Sequence, residues 1–319
     1  MEFLTYKASF TRKDGPIETN MDIFLLPEEA GELRRVRLIN NGEEEALLET
    51  ISYVEIVGDN INSDMAHQTF NNLFVRTEAI EEKEGLLAYR RKRQEDQEDV
   101  WLLHLAKTFD KDEGFQYETN RAAFIGRGND LKNPKAIEKG LTNTTGTVLE
   151  PIFSIGKKVR IPPKGKVDIY YITAFANSKE EAIYLLDKYS DKNNIRLAID
   201  LFRTKAQTEV GYLALNREDI EPFDELLPYL FFIKDNIKDK YKTLIKLNQK
   251  GKEGLWAKGI SGDYPIVLVT IDTMKGLRNL KKILNIHQYW SYKGLTVDLI
   301  ILNKDESIYF QPLYESIRE

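Results

Sequence analysis

The sequence contains no cysteine, which excludes disulfides, a thiol nucleophile and a Cys-ligated metal. Histidine is nearly as scarce: His67, His104 and His287 are widely separated, and none sits in a ligand-spaced pair. HExxH, CxxC, GxSxG and P-loop patterns are absent, so zinc protease, thiol redox, serine hydrolase and nucleotide phosphate motifs have no counterpart here. No apolar run nears the roughly 18 residues of a membrane span. Met1 leads into Glu2-Phe3-Leu4-Thr5-Tyr6, which lacks the basic and apolar regions of a signal peptide. These features predict a soluble, cytoplasmic chain with no direct membrane insertion, in which the sequon Asn143-Thr144-Thr145 goes unglycosylated. The formal charge is −5, with acids and bases interspersed. The densest basic run, Arg90-Arg91-Lys92-Arg93, is followed by Glu95, Asp96, Glu98 and Asp99 and reads as a solvated loop of both signs. Without a basic stripe, nucleic acid is not an expected partner.

What is present is an ordinary globular composition, 42% apolar and 30% charged over 319 residues, enough for about two domains and a large core. Residues 1–175 read as β structure, with short β-branched and aromatic runs punctuated by turn residues. Val36-Arg37-Leu38 alternates as a half-buried strand should, and Asn40-Asn41-Gly42 supplies positive-φ residues for a tight hairpin. The apolar stretch 46–57 predicts a strand buried between two sheets. Residues 101–109 predict another strand. Residues 152–161 and 167–175, joined by Pro162-Pro163-Lys164-Gly165, read as a hairpin. Many strands with no helices between them imply an antiparallel sandwich.

Helical texture begins at Asn177. Ser178-Lys179-Glu180-Glu181 is a capping box, and helical stretches follow over about 194–215 and 218–234. Pro222 falls in a first turn, and Pro228 splits or kinks the helix. Residues 176–250 therefore read as a helical linker. Residues 251–319 read as an α/β segment: a glycine-rich stretch, an apolar strand at 266–271, a helix at 276–292 and a second strand at 297–302. This β-α-β unit implies a buried parallel pair. The sequence stops inside what reads as a further helix, so the chain is expected to be a fragment.

Candidate chemistry is sparse. His104 lies in an apolar strand and reads as a satisfied core histidine, whereas His67 lies in a loop and is the better site candidate. Gly126-Arg127-Gly128 is too short for a dinucleotide fingerprint. The long polar excursion from Gly126 to Gly146 is the richer feature. Its Arg127, Asn129, Asn133, Thr144 and Thr145 suit sugar hydroxyls, and equally suit a surface loop docked on a neighbouring domain. Asp263, between Gly262 and Tyr264-Pro265, reads either as a sugar-hydroxyl acceptor or as a turn-capping aspartate.

Gly126-Arg127-Gly128…Asn133-Pro134, the run from Thr144 to Phe153 (Thr-Thr-Gly-Thr-Val-Leu-Glu-Pro-Ile-Phe) and the run from Gly259 to Val269 (Gly-Ile-Ser-Gly-Asp-Tyr-Pro-Ile-Val-Leu-Val) resemble the carboxy-terminal part of cyclic β-1,2-glucan synthases. They are also similar to β-1,2-oligoglucan phosphorylases, inverting enzymes grouped in glycoside hydrolase family 94. Further agreement runs through Thr50–Glu55, Ala66–Val75 and Val297–Asn303, so it covers nearly the whole chain in order. The resemblance implies a mainly β fold with α: an antiparallel β-supersandwich, a helical linker, and a short α/β segment leading to an (α/α)₆ catalytic barrel that this chain lacks. It implies inverting phosphorolysis in which one aspartic acid protonates the glycosidic oxygen while phosphate attacks from the opposite face. In the family that aspartate lies in a tryptophan-containing Asp-Trp-Asn-Asp-like motif of the barrel. The tryptophans here, at 101, 256 and 290, lie in no such motif, so no residue of this chain is given a catalytic role. The implied partners are β-1,2-glucan oligosaccharides and the barrel. Inorganic phosphate or glucose 1-phosphate is the co-substrate of the parent enzyme, and no cofactor is expected. Attachment of the parent to the inner membrane face would come from other domains. A stand-alone carbohydrate-binding or scaffolding protein is the alternative.

Overall fold

The β-prone runs of the first 176 residues build two antiparallel sheets in this computed structural model, which describes residues 1–92, 99–110, 112–232, 235–305 and 311–318. Residues 93–98 of the mixed-charge run lie outside the described residues. The chain divides into two compact units, Met1–Lys205 and Ala206–Glu319.

The strands of the first unit are β1 (Glu2–Leu4), β2 (Lys7–Asp14), β3 (Ile17–Leu25), β4 (Gly31–Asn40), β5 (Ala46–Ile51), β6 (Val54–Glu55), β7 (Val75–Ile80), β8 (Gly85–Arg90), β9 (Val100–Thr108), β10 (Asp112–Asn120), β11 (Pro151–Ile161) and β12 (Lys166–Ala176). Its helices are α1 (Ile61–Asn72), α2 (Arg121–Ile125), α3 (Lys135–Lys139), α4 (Lys179–Lys188) and α5 (Lys192–Tyr212), the last containing the boundary. The wide sheet runs β1-β2-β3-β4-β12-β9-β8-β7, and the narrow sheet runs β10-β11-β5 with β6 also on β11.

Central strands read as continuous apolar runs because both their faces are buried. In β12, Tyr170, Ile172 and Ala174 pack with Ala182, Leu185 and Leu186 of α4 and with Tyr189, which caps its C-terminus. The alternate residues Val167, Ile169 and Tyr171 meet Phe153, Ile155, Val159 and Ile161 of the narrow sheet. The period-2 alternation of a strand thus serves two cores at once. In α4 the Ser178 hydroxyl accepts from the Glu181 N–H at 3.0 Å, while the Glu181 carboxylate accepts from the Asn177 N–H at 2.7 Å, one residue before the cap.

Both predicted hairpins are corrected. β11 pairs with β10, β5 and β6, and β12 with β4 and β9, so Pro162-Pro163-Lys164-Gly165 carries the chain from one sheet to the other. The turn closes through Gly165 N–H to Pro162 C=O at 2.9 Å, with Lys164 at φ 57°. Asn40-Asn41-Gly42 likewise leads from the wide sheet to the narrow one, and none of the three has positive φ. The turn is held instead by the Asn40 side chain, which accepts from Gly42 N–H at 2.9 Å and donates to the Glu44 and Ile161 carbonyls at 2.7 and 3.1 Å. β5 is an edge strand with alternating exposure, rather than one buried on both faces.

In the second unit, α6 (Arg217–Asp224) begins with a full capping box at Asn216 and Asp219. Pro222 therefore lies beyond the first turn, two residues before the helix ends. Pro228 opens the separate helix α7 (Leu227–Phe231), the split expected of it. The short helices α8 (Asp235–Lys240), α9 (Lys242–Leu247) and α10 (Glu253–Trp256) follow. Then come β13 (Ile266–Ile271), α11 (Leu277–Tyr292), β14 (Asp298–Asn303) and α12 (Pro312–Arg318). β13 and β14 pair in parallel, Ile266 opposite Asp298 through Ile271 opposite Asn303. α11 covers one face, with Leu280 packed by Val269, Ile271 and Ile301. The other face is open, with Leu268 59% exposed, so the pair is buried on one side only. Among the described residues, no helix is long and apolar enough to cross a membrane.

Candidate functional site

The polar excursion between β10 and β11 is anchored at both ends. Asn120 caps α2, accepting from Ala122 N–H at 3.0 Å. Gly126 ends α2 at φ 80°, where a Cβ would come within 2.7 Å of Lys135 Cβ, so only glycine lets α2 and α3 approach. The Asp130 carboxylate accepts from the Lys132 and Asn133 N–H groups at 2.9 and 3.1 Å, shaping the turn before Pro134. Farther on, Asn143 and Tyr117 exchange two bonds: Asn143 N–H to Tyr117 C=O at 2.8 Å and Tyr117 N–H to Asn143 Oδ1 at 2.9 Å. The Thr144 carbonyl accepts from the Thr119 hydroxyl at 2.8 Å, and Gly146 bridges to Thr77.

The side chains singled out from sequence divide accordingly. Arg127, Asn129, Asn133 and Thr145 are exposed, and among the described residues their side chains have no hydrogen-bond or ion-pair partner. Thr144 is partly buried and its hydroxyl lies 3.1 Å from that of Thr142, which in turn bonds Glu118. Thr144 therefore belongs to the anchor. Asp263 lies in the second unit, exposed, its carboxylate 2.7 Å from Lys252 Nζ and its N–H 3.2 Å from the Ser261 hydroxyl. His104 is 1% exposed, with Ser52 Oγ at 2.8 Å from Nε2 and Thr173 Oγ1 at 2.9 Å from Nδ1. Burial, with Arg34 adding to it, pushes its pKa down to about 3, so it is a neutral core group. His67 is exposed at a break in α1, with φ −151° and ψ 57°.

Beside the excursion lies a polar pocket that sequence reasoning missed. Its volume is about 250 Å³, and it is lined by Glu55, Gln68, Thr69, Asn72, Arg121 and Glu150 with Ile56, Val57 and Pro151. The Tyr53 hydroxyl donates to Glu55 Oε1 at 2.7 Å and accepts from Arg121 Nε at 3.0 Å. Burial, then the bond to Glu55, pushes the Tyr53 pKa up to about 12, so the phenol keeps its proton and fixes both neighbours. Arg121 also faces Glu150 at 3.5 Å. The lining comes from four separated stretches. Proximity in the chain gave no signal, although three of the resembling stretches each contain a lining residue.

Two antiparallel sheets of unequal width, packed face to face, with α4 and α5 on the outer face of the wide sheet and α2 and α3 on that of the narrow one, make the first unit a β-supersandwich. Residues 1–192 match the supersandwich domain of glycosyl hydrolase 94, and the chain belongs to that family. It is 28% identical over 314 residues to the cyclic beta-(1,2)-glucan synthase NdvB of Rhizobium meliloti, a match covering 98% of this chain and 11% of that protein. Among solved structures, a putative kojibiose phosphorylase from the human microbiome overlaps 64% of this chain and 23% of its own, at TM-score 0.38 and 8% identity. A heparan sulfate lyase HepC mutant from Pedobacter heparinus overlaps 56% and 21%, at TM-score 0.32 and 9% identity.

Proposed function

We propose that this chain is the sandwich, linker and following α/β portion of an enzyme that processes β-1,2-glucans, and that its 126–146 excursion helps to shape the cleft holding the sugar chain. The observation that carries this reading is the 28% identity to a cyclic β-(1,2)-glucan synthase, sustained over 98% of the chain. In this reading residues 176–250 link the sandwich to residues 251–319. The acid, and the phosphate or glucose 1-phosphate site, belong to an (α/α)₆ barrel. Arg127, Asn129, Asn133 and Thr145 support the role because their polar groups are exposed and uncommitted on an anchored backbone. Thr144 holds that backbone in place.

The test is a titration of the chain with linear β-1,2-glucooligosaccharides, using β-1,3-linked chains of equal length as controls. The expected affinity is on the order of millimolar, because a partial cleft leaves many sugar hydroxyls in water. Arg127→Ala and Asn133→Ala should each weaken it several-fold with circular dichroism unchanged. Wild-type affinity in both variants would reduce the excursion to a surface feature. Equal affinity for both linkages would favour a general carbohydrate-binding protein.

A further inference from the structure

We propose that the pocket between α1, β6 and the start of α2 binds one neutral hexose unit, at a site separate from the exposed side chains of the 126–146 excursion. At about 250 Å³ it falls just below the span of small-molecule pockets, which begins at about 300 Å³. That size suits one pyranose ring and is too small for an oligosaccharide. Its chemistry is mixed in the way sugar hydroxyls require, since each hydroxyl both donates and accepts. Arg121 donates, Glu55 and Glu150 accept, and the amides of Gln68 and Asn72 and the hydroxyl of Thr69 do both. Ile56, Val57 and Pro151 supply an apolar strip for ring C–H groups.

Two observations show that the lining is prepared for a ligand. Tyr53 clamps Glu55 and Arg121 in place, so part of the lining is ordered before anything binds. Asn72 is only 8% exposed, yet among the described residues its amide has no protein hydrogen-bond partner, and neither do the side chains of Gln68 and Thr69. The amide atoms of Asn72 are not sealed from water, and Asn72 lines the pocket, so a sugar hydroxyl can take the place of water on these uncommitted groups. The local charge selects the class of ligand. Two carboxylates against one guanidinium leave the pocket net negative, which opposes phosphorylated or acidic sugars.

That the hexose is glucose rests on the β-1,2-glucan reading; the pocket itself does not. The experiment is saturation-transfer NMR on the 319-residue chain with glucose, methyl β-glucoside and glucose 1-phosphate, each up to about 100 mM. Saturable glucose binding is expected, with glucose 1-phosphate at least several-fold weaker. Gln68→Ala/Glu150→Ala, which alters two exposed positions, should weaken glucose about tenfold, and Thr69→Val should weaken it less. Arg127→Ala/Asn133→Ala should leave glucose binding at the wild-type level. No saturable binding, binding unchanged in the Gln68/Glu150 variant, or glucose 1-phosphate binding as tightly as glucose would each overturn the proposal. Glucose binding without any β-1,2-oligosaccharide binding sinks the glucan reading and leaves the pocket standing. Oligosaccharide binding that depends on Arg127 without glucose binding does the reverse.

Discussion

His104 and Asp22 carry opposite charges when ionised, yet both tie stability to pH in the same direction. His104 lies between the rings of Phe153 and Tyr171, at 5.9 and 6.0 Å, with both nitrogens engaged. Its pKa of about 3, against an ordinary 6.5, means that between those values the unfolded chain takes up a proton that the folded chain refuses. Stability therefore falls as pH drops through that window. Asp22 acts lower on the scale. Burial alone would raise its pKa, but Ser9, Lys7 and Arg35 outweigh burial and hold it at about 2, against 3.8. Its contribution is complete above 3.8 and is lost as pH falls toward 2. Melting temperature followed from about pH 8 to pH 3 should decline below about 6.5 and steepen below about 4. His104→Gln should lower the melting temperature at pH 8 yet flatten the decline between about 6 and 4. An unaltered slope in that variant would mean that some other group governs the window.

At the scale of elements, the α2–α3 corner gives a graded test. Gly126 and Gly128 both have positive φ, at 80° and 82°. A Cβ at Gly126 would meet Lys135 Cβ at 2.7 Å, whereas one at Gly128 meets nothing within 4 Å. Gly128→Ala should therefore cost only the backbone term, about 1 kcal/mol, and Gly126→Ala should cost more, on the order of 2–3 kcal/mol. Equal losses in denaturant unfolding would show that the two short helices are not closely packed. The strands themselves were legible in the sequence: alternation marked β4, apolar runs marked β9, β11 and β12, and Pro228 marked the helix break. Their partners were not. A run buried on both faces looks the same whether the next strand pairs beside it or lies in the facing sheet, and Pro-Pro-Lys-Gly suits either turn. The candidate site was legible to the same degree. The 126–146 excursion announced itself by length and polarity. The Glu55–Arg121–Glu150 pocket did not, because its side chains meet only after strands far apart in sequence have paired.

For the whole molecule, the expected outcome is that the isolated chain neither phosphorolyses nor synthesises β-1,2-glucan. Inverting phosphorolysis needs a carboxylic acid within hydrogen-bond reach of the glycosidic oxygen and a phosphate held on the opposite face of the sugar. The carboxylates of the pocket and of the turn at 262–264 are engaged by neighbours: Glu55 by Tyr53 and Arg121, Glu150 by Arg121, and Asp263 by Lys252. A phosphate entering the Glu55–Glu150 pocket would meet two negative charges and one positive, the wrong balance for an anion. Asp263, although paired with Lys252, is exposed between glycine and tyrosine in a unit whose core is built by α6, α11 and the β13–β14 pair. Its neighbour Lys252 could attract phosphate, but an exposed pair in water offers little of the pre-organised field that stabilises a developing charge. Incubating the purified chain with linear β-1,2-glucooligosaccharides and inorganic phosphate should yield no glucose 1-phosphate, and the reverse mixture should not lengthen the chains. Glucose 1-phosphate release that disappears in Asp263→Asn would reverse this and make the second unit catalytic in its own right.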